Sequence, residues 1–95
     1  MDLVVRVVEI KGRCPAYVEG DSFRLRDGYL LESEKPLCMH SLASLMPYYN
    51  ALNVSPPEAW GLAGRENPKR AYLQCLDPYE RTGGGTAVFE ISCQD

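Results

Sequence analysis

The sequence predicts an α+β fold in which one main helix packs across a mostly antiparallel sheet of about four strands. Three observations predict it: runs rich in β-branched residues near both ends, a stripe of apolar residues at helical spacing in the middle, and a length of 95 residues. A domain usually takes about 100–200 residues. We therefore expect residues 1–95 to form one small α+β domain.

The N-terminal third predicts a long strand followed by a hairpin. Residues 3–10 are rich in valine and alternate so that one face of a strand is nearly all apolar. Pro15 lies just beyond and ends this strand, because proline and its neighbours favour turns. Residues 22–32 are expected to form a short hairpin, since Asp27-Gly28 is a good tight-turn dipeptide.

The main helix is predicted from about residue 37, where apolar residues begin to recur at steps of three and four. The stripe comprises Cys38, Leu42, Leu45, Tyr49 and Leu52. Pro47 removes an interior backbone hydrogen bond, so it should kink or split the helix. The opposite face, which includes His40 and Ala43, is small rather than charged. We therefore expect the helix to be buried on two sides.

A short second helix is predicted at residues 56–60. Ser55 and Glu58 have the spacing of a capping box, and Pro56 suits the first helical position. Gly61 follows where a C-terminal cap is expected.

The last third predicts two more strands, at residues 71–76 and 87–91. The glycines at 83–85 could cradle a phosphate, but they lack the Gly-Lys-Ser/Thr ending and precede a strand, which favours a plain loop. Cys93 is expected to lie on a frayed C-terminal tail, where residues are usually poorly ordered.

Composition argues against several classes of partner. Ten Lys and Arg against thirteen Asp and Glu give a net charge of −3, the wrong sign for general attraction to phosphates, so no nucleic-acid partner is expected. No apolar run approaches the ~18–20 residues of a membrane-spanning helix, and residues 1–6 lack the pattern of an export signal. We therefore expect a cytoplasmic protein with no membrane partner.

Four cysteines are the most informative feature for function. In a reducing compartment they are expected to be thiols, and no two of them form a Cys-x-x-Cys motif. Cys14 and Cys75 lie near predicted strand ends and Cys38 lies at the start of the predicted helix, so the three could converge. With His40, the only histidine, they would form a Cys₃His set suited to zinc or an iron–sulfur cluster.

Cys38 is also the candidate nucleophile. A thiol in the first turn of a helix feels the positive end of the helix dipole, which favours the thiolate. His40 is not three or four residues away, so the helix does not align it with Cys38 as a base. Neither paired carboxylates nor a Ser/His/Asp set is evident, which argues against a hydrolase.

Three interpretations of function stay open. The first is a small metal-binding or iron–sulfur protein that uses Cys14, Cys38, Cys75 and His40. The second is a non-enzymatic module that binds a protein or a small ligand. In this interpretation the cysteines pack in the core, and the binding partner can be a second copy of the chain, giving a homo-oligomer. The third is a redox enzyme or a thiol-dependent accessory factor that acts through Cys38.

The chain resembles a family of small single-domain bacterial and archaeal proteins of uncharacterised function. The resemblance covers nearly the whole chain and rests on Cys14-Pro15, Gly20-Asp21-x-Phe23, Cys38-Met39-His40-x-Leu42-Ala43, Pro47-Tyr48, Ala59-Trp60-Gly61, Gln74-Cys75-x-Asp77 and Gly84-Gly85-Thr86-x-x-Phe89-Glu90. It implies that Cys14, Cys38 and Cys75 belong together and that Cys93 does not join them. It implies no particular activity.

Overall fold

A sheet of five antiparallel strands forms the body of the protein, as described by a computed structural model that covers residues 2–94. The strands are β1 (Asp2–Gly12), β2 (Ser22–Arg26), β3 (Leu30–Glu32), β4 (Ala71–Gln74) and β5 (Gly85–Gln94). The helices are α1 (Met39–Val54), α2 (Tyr79–Thr82) and a 3-10 helix at Pro57–Trp60. The sheet order is β3-β2-β1-β5-β4. The predicted α+β class is confirmed, with five strands instead of four.

The two longest strands, β1 and β5, pair along their whole length at the centre of the sheet. Val5 lies opposite Ile91 and Val7 opposite Phe89, and all four side chains are buried. Because side chains alternate along a strand, this register directs one apolar face of both strands toward the core.

A β-bulge interrupts the alternation that the sequence predicts for β1. The register shifts between Val7 and Glu9, so that Glu9 lies opposite Val88. Val88 is the neighbour of the buried Phe89 and therefore faces the other side of the sheet. The bulge thus removes Glu9 from the buried face, on which strict alternation would have placed it.

The long helix α1 packs against β1, β4 and β5. Its buried residues are Leu45 and Leu52, which belong to the predicted apolar stripe, and Ser41, which does not. The stripe residues Cys38, Leu42 and Tyr49 are half-buried. The helix runs through Pro47 without a break, because Leu45 and Leu52 hold both sides of the proline against the sheet.

The prediction that α1 is buried on two sides is wrong. His40, Ala43 and Pro47 are exposed, because the sheet covers only one face of the helix and no second layer of the described residues covers the other. Within residues 2–94, no helix combines the length and the apolar character needed to cross a membrane.

The strands β2 and β3 form the predicted hairpin. Asp27 and Gly28 both have positive φ values, 58° and 83°, as a type I′ turn requires. The turn brings Leu30–Glu32 back beside β2. This second strand of the hairpin, β3, is the one that raises the number of strands from the predicted four to five.

The 3-10 helix confirms the predicted short helix but not its capping box. Gly61 ends it in the left-handed region with a φ of 72°, as expected. Ser55 instead closes α1: its Oγ donates to the Ala51 carbonyl at 3.0 Å and accepts the Trp60 indole N–H at 3.2 Å. The extended residue before the 3-10 helix is Pro56, which separates Ser55 from the helix that it was expected to cap.

The three consecutive glycines form a packing junction between α2 and β5. Gly83 ends α2 with a φ of 72°. A side chain on Gly84 would clash with the Asp77 carboxylate, and one on Gly85 would clash with the backbone of Arg13. Close packing where β1 ends and β5 begins therefore accounts for these two glycines.

We expect Gly85→Ala to lower the free energy of unfolding by about 3 kcal/mol, since extra volume is being forced into a packed site. The matched control is Gly20→Ala, because nothing lies within 4 Å of the added Cβ at Gly20 and only its φ of +96° is unfavourable. That strain costs roughly 1 kcal/mol. Urea unfolding measures both losses, and equal losses would contradict the packing explanation.

A half-buried carboxylate, Glu90, ties the edge strand β4 to the centre of the sheet. Its Oε1 accepts a hydrogen bond from Arg70 Nη1 and its Oε2 accepts one from the Tyr72 hydroxyl, both at 2.7 Å. The Tyr72 hydrogen bond and the Arg70 guanidinium lower the pKa of Glu90. The same hydrogen bond raises the pKa of Tyr72. The network is therefore intact with Glu90 ionised and Tyr72 protonated.

We expect this network to make stability depend on pH at both ends of the range. The contribution of Glu90 is present above its ordinary pKa of 4.5 and is lost as the pH falls through its lowered folded pKa. The contribution of Tyr72 is present below its ordinary pKa of 10.0 and is lost as the pH rises through its raised folded pKa.

Urea unfolding of wild type, Glu90→Gln and Tyr72→Phe across the pH range measures both contributions. The difference in unfolding free energy between wild type and Glu90→Gln should shrink in acid, and that for Tyr72→Phe should shrink in alkali. Differences that stay constant with pH would contradict the assignment. Glu19→Gln, which changes an exposed carboxylate of the loop between β1 and β2, is the control.

Candidate functional site

Cys14 lies in the loop that follows β1 and is half-buried. Its Sγ accepts a weak hydrogen bond from the backbone N–H of Tyr17, at 3.4 Å. The Tyr17 ring is buried and packs edge-on against Phe89, with ring centroids 5.7 Å apart. The loop is therefore anchored to the centre of the sheet through Tyr17.

Tyr17 also anchors the start of α1, where Cys38 lies. The Tyr17 hydroxyl accepts the backbone N–H of Cys38 at 3.0 Å and lies 2.7 Å from Ser41 Oγ. Ser41 donates its one hydroxyl proton to the Cys38 carbonyl at 2.7 Å, so the Tyr17 hydroxyl must donate to Ser41. Every polar group of this small network is satisfied.

Cys38 immediately precedes α1, whereas the sequence predicts it within the first turn of the helix. It is the N-cap of α1, with extended backbone angles, and its thiol makes no capping hydrogen bond. The residue lies outside the first turn because Met39 is the first helical residue. His40 is exposed in that first turn.

The other two cysteines belong to the sheet. Cys75 follows β4 directly, is half-buried and donates its backbone N–H to the Ala87 carbonyl at 2.9 Å. Cys93 lies within β5 opposite Leu3 and is exposed. The expectation that Cys93 lies on a frayed tail is wrong, because the pairing with β1 extends to Gln94.

Cys14, Cys38 and Cys75 all pack against the hydrophobic core, as cysteines do when they act as small apolar side chains. No group of three or more His, Cys, Asp or Glu side chains within residues 2–94 is arranged to hold a metal ion. The zinc or iron–sulfur set that adds His40 to these cysteines stays a prediction. So does the nucleophilic role of Cys38.

A cleft of about 440 Å³ opens beside the C-terminal end of α1, within the range of small-molecule sites. Core side chains form its floor: Leu3, Leu52, Ala71 and Ile91. Three prolines contribute to its walls: Pro56, Pro57 and Pro68. Because the floor belongs to the core and proline restricts the backbone, the cleft is largely preformed.

Asn53 lines this cleft and carries an unsatisfied buried oxygen. Its Oδ1 is the one buried side-chain oxygen or nitrogen of residues 2–94 without a hydrogen-bond partner. An unpaired buried amide oxygen costs about 1–3 kcal/mol, so such an atom in a folded protein requires an explanation. Asn53 also lines a second hollow together with Asn50 and Trp60, and a test must separate the two hollows.

Two opposite charges lie on the walls of the cleft. Glu58 belongs to the 3-10 helix and Lys69 to the loop before β4, and both are exposed. Neither takes part in an ion pair within the described part of the chain. The cleft therefore offers an apolar floor and one charge of each sign, and Asn53 in its lining holds a buried unpaired oxygen.

Sequence reasoning does not identify this cleft. Glu58 is interpreted there as part of a capping box, and Lys69 is not singled out. The one local signal is Asn53, a residue of low helix propensity between Leu52 and Val54 in the last turn of the main helix. A single polar residue is common at the end of a helix, so this signal does not predict a site.

We expect Tyr17→Phe to destabilise the fold by about 1–3 kcal/mol, because it leaves the buried Cys38 N–H without an acceptor and Ser41 without a donor. The control is Tyr29→Phe, which removes a hydroxyl from a side chain that is 77% exposed and should change stability by less than about 0.5 kcal/mol. Urea unfolding compares them. Equal effects would show that the Tyr17 hydroxyl does not hold the loop and the helix together.

Comparison with known proteins leaves the function to be argued from this geometry. A scan against protein-family models, a search of curated proteins and a search of solved structures each found no match to the chain. The family resemblance noted from the sequence therefore stays a prediction.

Proposed function

We propose that this protein is a non-enzymatic binding module whose site is the cleft at the end of α1, and whose ligand is a small molecule with an apolar body. The observation that carries the proposal is the unsatisfied Oδ1 of Asn53 in a cleft with an apolar floor. Small-molecule sites combine an apolar lining with a few polar groups that orient the ligand.

The energetics of Asn53 support a ligand that donates a hydrogen bond. Proteins rarely leave a buried amide oxygen without a partner, because burial removes it from water without compensation. A ligand with an N–H or O–H group would supply that partner once the Asn53 side chain turns toward the cleft, while its apolar part covers Leu52 and Ile91. Binding would then recover the desolvation cost that the free protein bears.

The cysteine placement agrees with this class of function. Cys14, Cys38 and Cys75 contribute to the core, which is how the binding-module interpretation uses them. Their thiols would then serve packing, and the recognition chemistry would lie at the other end of α1.

An apolar crevice between α1 and the β2–β3 hairpin is a weaker candidate. Its volume is about 100 Å³, well below the ~300 Å³ at which small-molecule sites usually begin. Leu25, Tyr29, Leu42 and Met46 are among its lining residues, and it holds no buried unpaired group. The cleft at Asn53 is therefore the better site.

We expect Asn53→Leu to abolish ligand binding while leaving the fold as stable as wild type or more stable. Leucine has a similar shape and removes an acceptor whose burial costs about 1–3 kcal/mol. Urea unfolding measures the stability. Binding is followed by NMR titration with 3-methylbutanol, a neutral apolar alcohol, monitoring the Asn53 side-chain amide and the backbone amides of Ala71 and Ile91.

Asn50→Leu is the matched control, because Asn50 lines the second hollow and not the cleft. Wild type and Asn50→Leu should show saturable shifts at Ala71 and Ile91, and Asn53→Leu should show none. Loss of binding in Asn50→Leu alone would assign the site to the second hollow. Loss of stability in Asn53→Leu would mean that the amide is structural.

A further inference from the structure

Resting on the proposed cleft, we infer that its ligand is a zwitterion with an aliphatic tail, of the class of the free apolar α-amino acids. The inference depends on three groups that line one cleft: Glu58, Lys69 and the Asn53 amide. Each of them lacks a hydrogen-bonding or charged side-chain partner among the described residues, and together they match the two charges of an amino acid.

Glu58 and Lys69 are two of the charged side chains of residues 2–94 that form no ion pair. The ion pairs of residues 2–94 engage other side chains: Arg24 with Asp2, Arg26 with Asp27 and Glu32, Lys35 with Asp21, and Arg70 with Glu90. Lys69 and Arg70 are consecutive, yet only Arg70 is paired. Glu58 and Lys69 line the same cleft without forming an ion pair with each other.

The geometry of an amino acid suits this arrangement. Its carboxylate would lie at Lys69 and its ammonium group at Glu58. An ammonium group has three N–H donors, so it has a donor for the Glu58 carboxylate and another for Asn53 Oδ1 once that side chain turns toward the cleft. An aliphatic side chain would then contact the floor at Leu52 and Ile91.

The charges select the ligand more than they tighten its binding. An exposed ion pair contributes about 0.2–1 kcal/mol, so two of them give a modest gain. Complementary charges nevertheless discriminate against ligands of the wrong charge pattern. A neutral molecule of the same shape would cover the floor and leave both charges unpaired.

Four probes of the same aliphatic shape test the inference by NMR titration of the full chain. They are L-leucine, N-acetyl-L-leucine amide without either charge, 4-methylpentanoate with the carboxylate only, and 3-methylbutylamine with the ammonium only. We expect L-leucine to bind about tenfold more tightly than each of the others, which corresponds to about 1.4 kcal/mol. This preference should weaken as salt is added.

Two charge-neutralising variants assign each end of the ligand. Glu58→Gln should weaken L-leucine and 3-methylbutylamine severalfold and leave 4-methylpentanoate unchanged, and Lys69→Gln should do the reverse for the two ionic analogues. Glu66→Gln and Arg65→Gln are the controls, because these exposed charges lie in the same loop region but outside the cleft. Neither control should change any affinity.

The outcomes separate this inference from the proposed function. Equal binding of all four probes at Ala71 and Ile91 would overturn the zwitterion and retain an apolar ligand site. Preference for L-leucine that survives in both Glu58→Gln and Lys69→Gln would also overturn it. If no probe, including 3-methylbutanol, shifts the Asn53 side-chain amide, the cleft is not a binding site and both proposals fail.

Discussion

The antiparallel pairing of β1 with β5 is the constraint on which the rest of the structure depends. It joins strands from opposite ends of the described chain over 11 and 10 residues, and the other strands add outward from it. Its buried face, with Val5, Val7 and Phe89, is the surface on which α1 packs. Because the pairing closes a loop of nearly the whole chain, its entropic cost must be offset by that packing. Strand pairing and helix docking are therefore mutually dependent.

The two ends of the β1–β5 pair differ in whether the buried polar groups nearby have hydrogen-bond partners. Where β1 ends and β5 begins, Tyr17, Ser41 and Cys38 satisfy one another's hydrogen bonds, and Gly85 packs closely against the backbone of Arg13. At the opposite end, where Leu3 faces Cys93, the cleft leaves the Asn53 oxygen unpaired. A fully paired network makes a structure rigid and specific, whereas a local violation of good packing is typical of a functional site.

This contrast favours a structural role for the cysteines. Their positions next to strand ends and a helix start made them the most informative residues of the sequence, and the same positions lie on the rigid side of the fold. Cys14 and Cys38 are both connected to Tyr17 by hydrogen bonds, and Cys75 continues the β4–β5 ladder through its backbone. Thiols that pack against a core fill small spaces between the larger apolar side chains. The polar residues of the cleft, in contrast, are ordinary in the sequence.

The sequence by itself determined the α+β class, the long apolar strands, the β2–β3 turn and the stripe of α1, because these depend on periodicity and on the local preferences of residues such as Gly28 and Pro15. It did not determine the bulge at Glu9, the role of Ser55 or the exposed face of α1, since each depends on which surface a distant element covers. The cleft of the proposed site was decided by tertiary structure alone. Asn53, Glu58, Lys69 and Ile91 lie on four different segments, and only the closing of β5 against β1 brings their side chains around one cleft. Local sequence patterns indicate which secondary structure a residue prefers. A cleft, in contrast, is the space that packed elements leave between them.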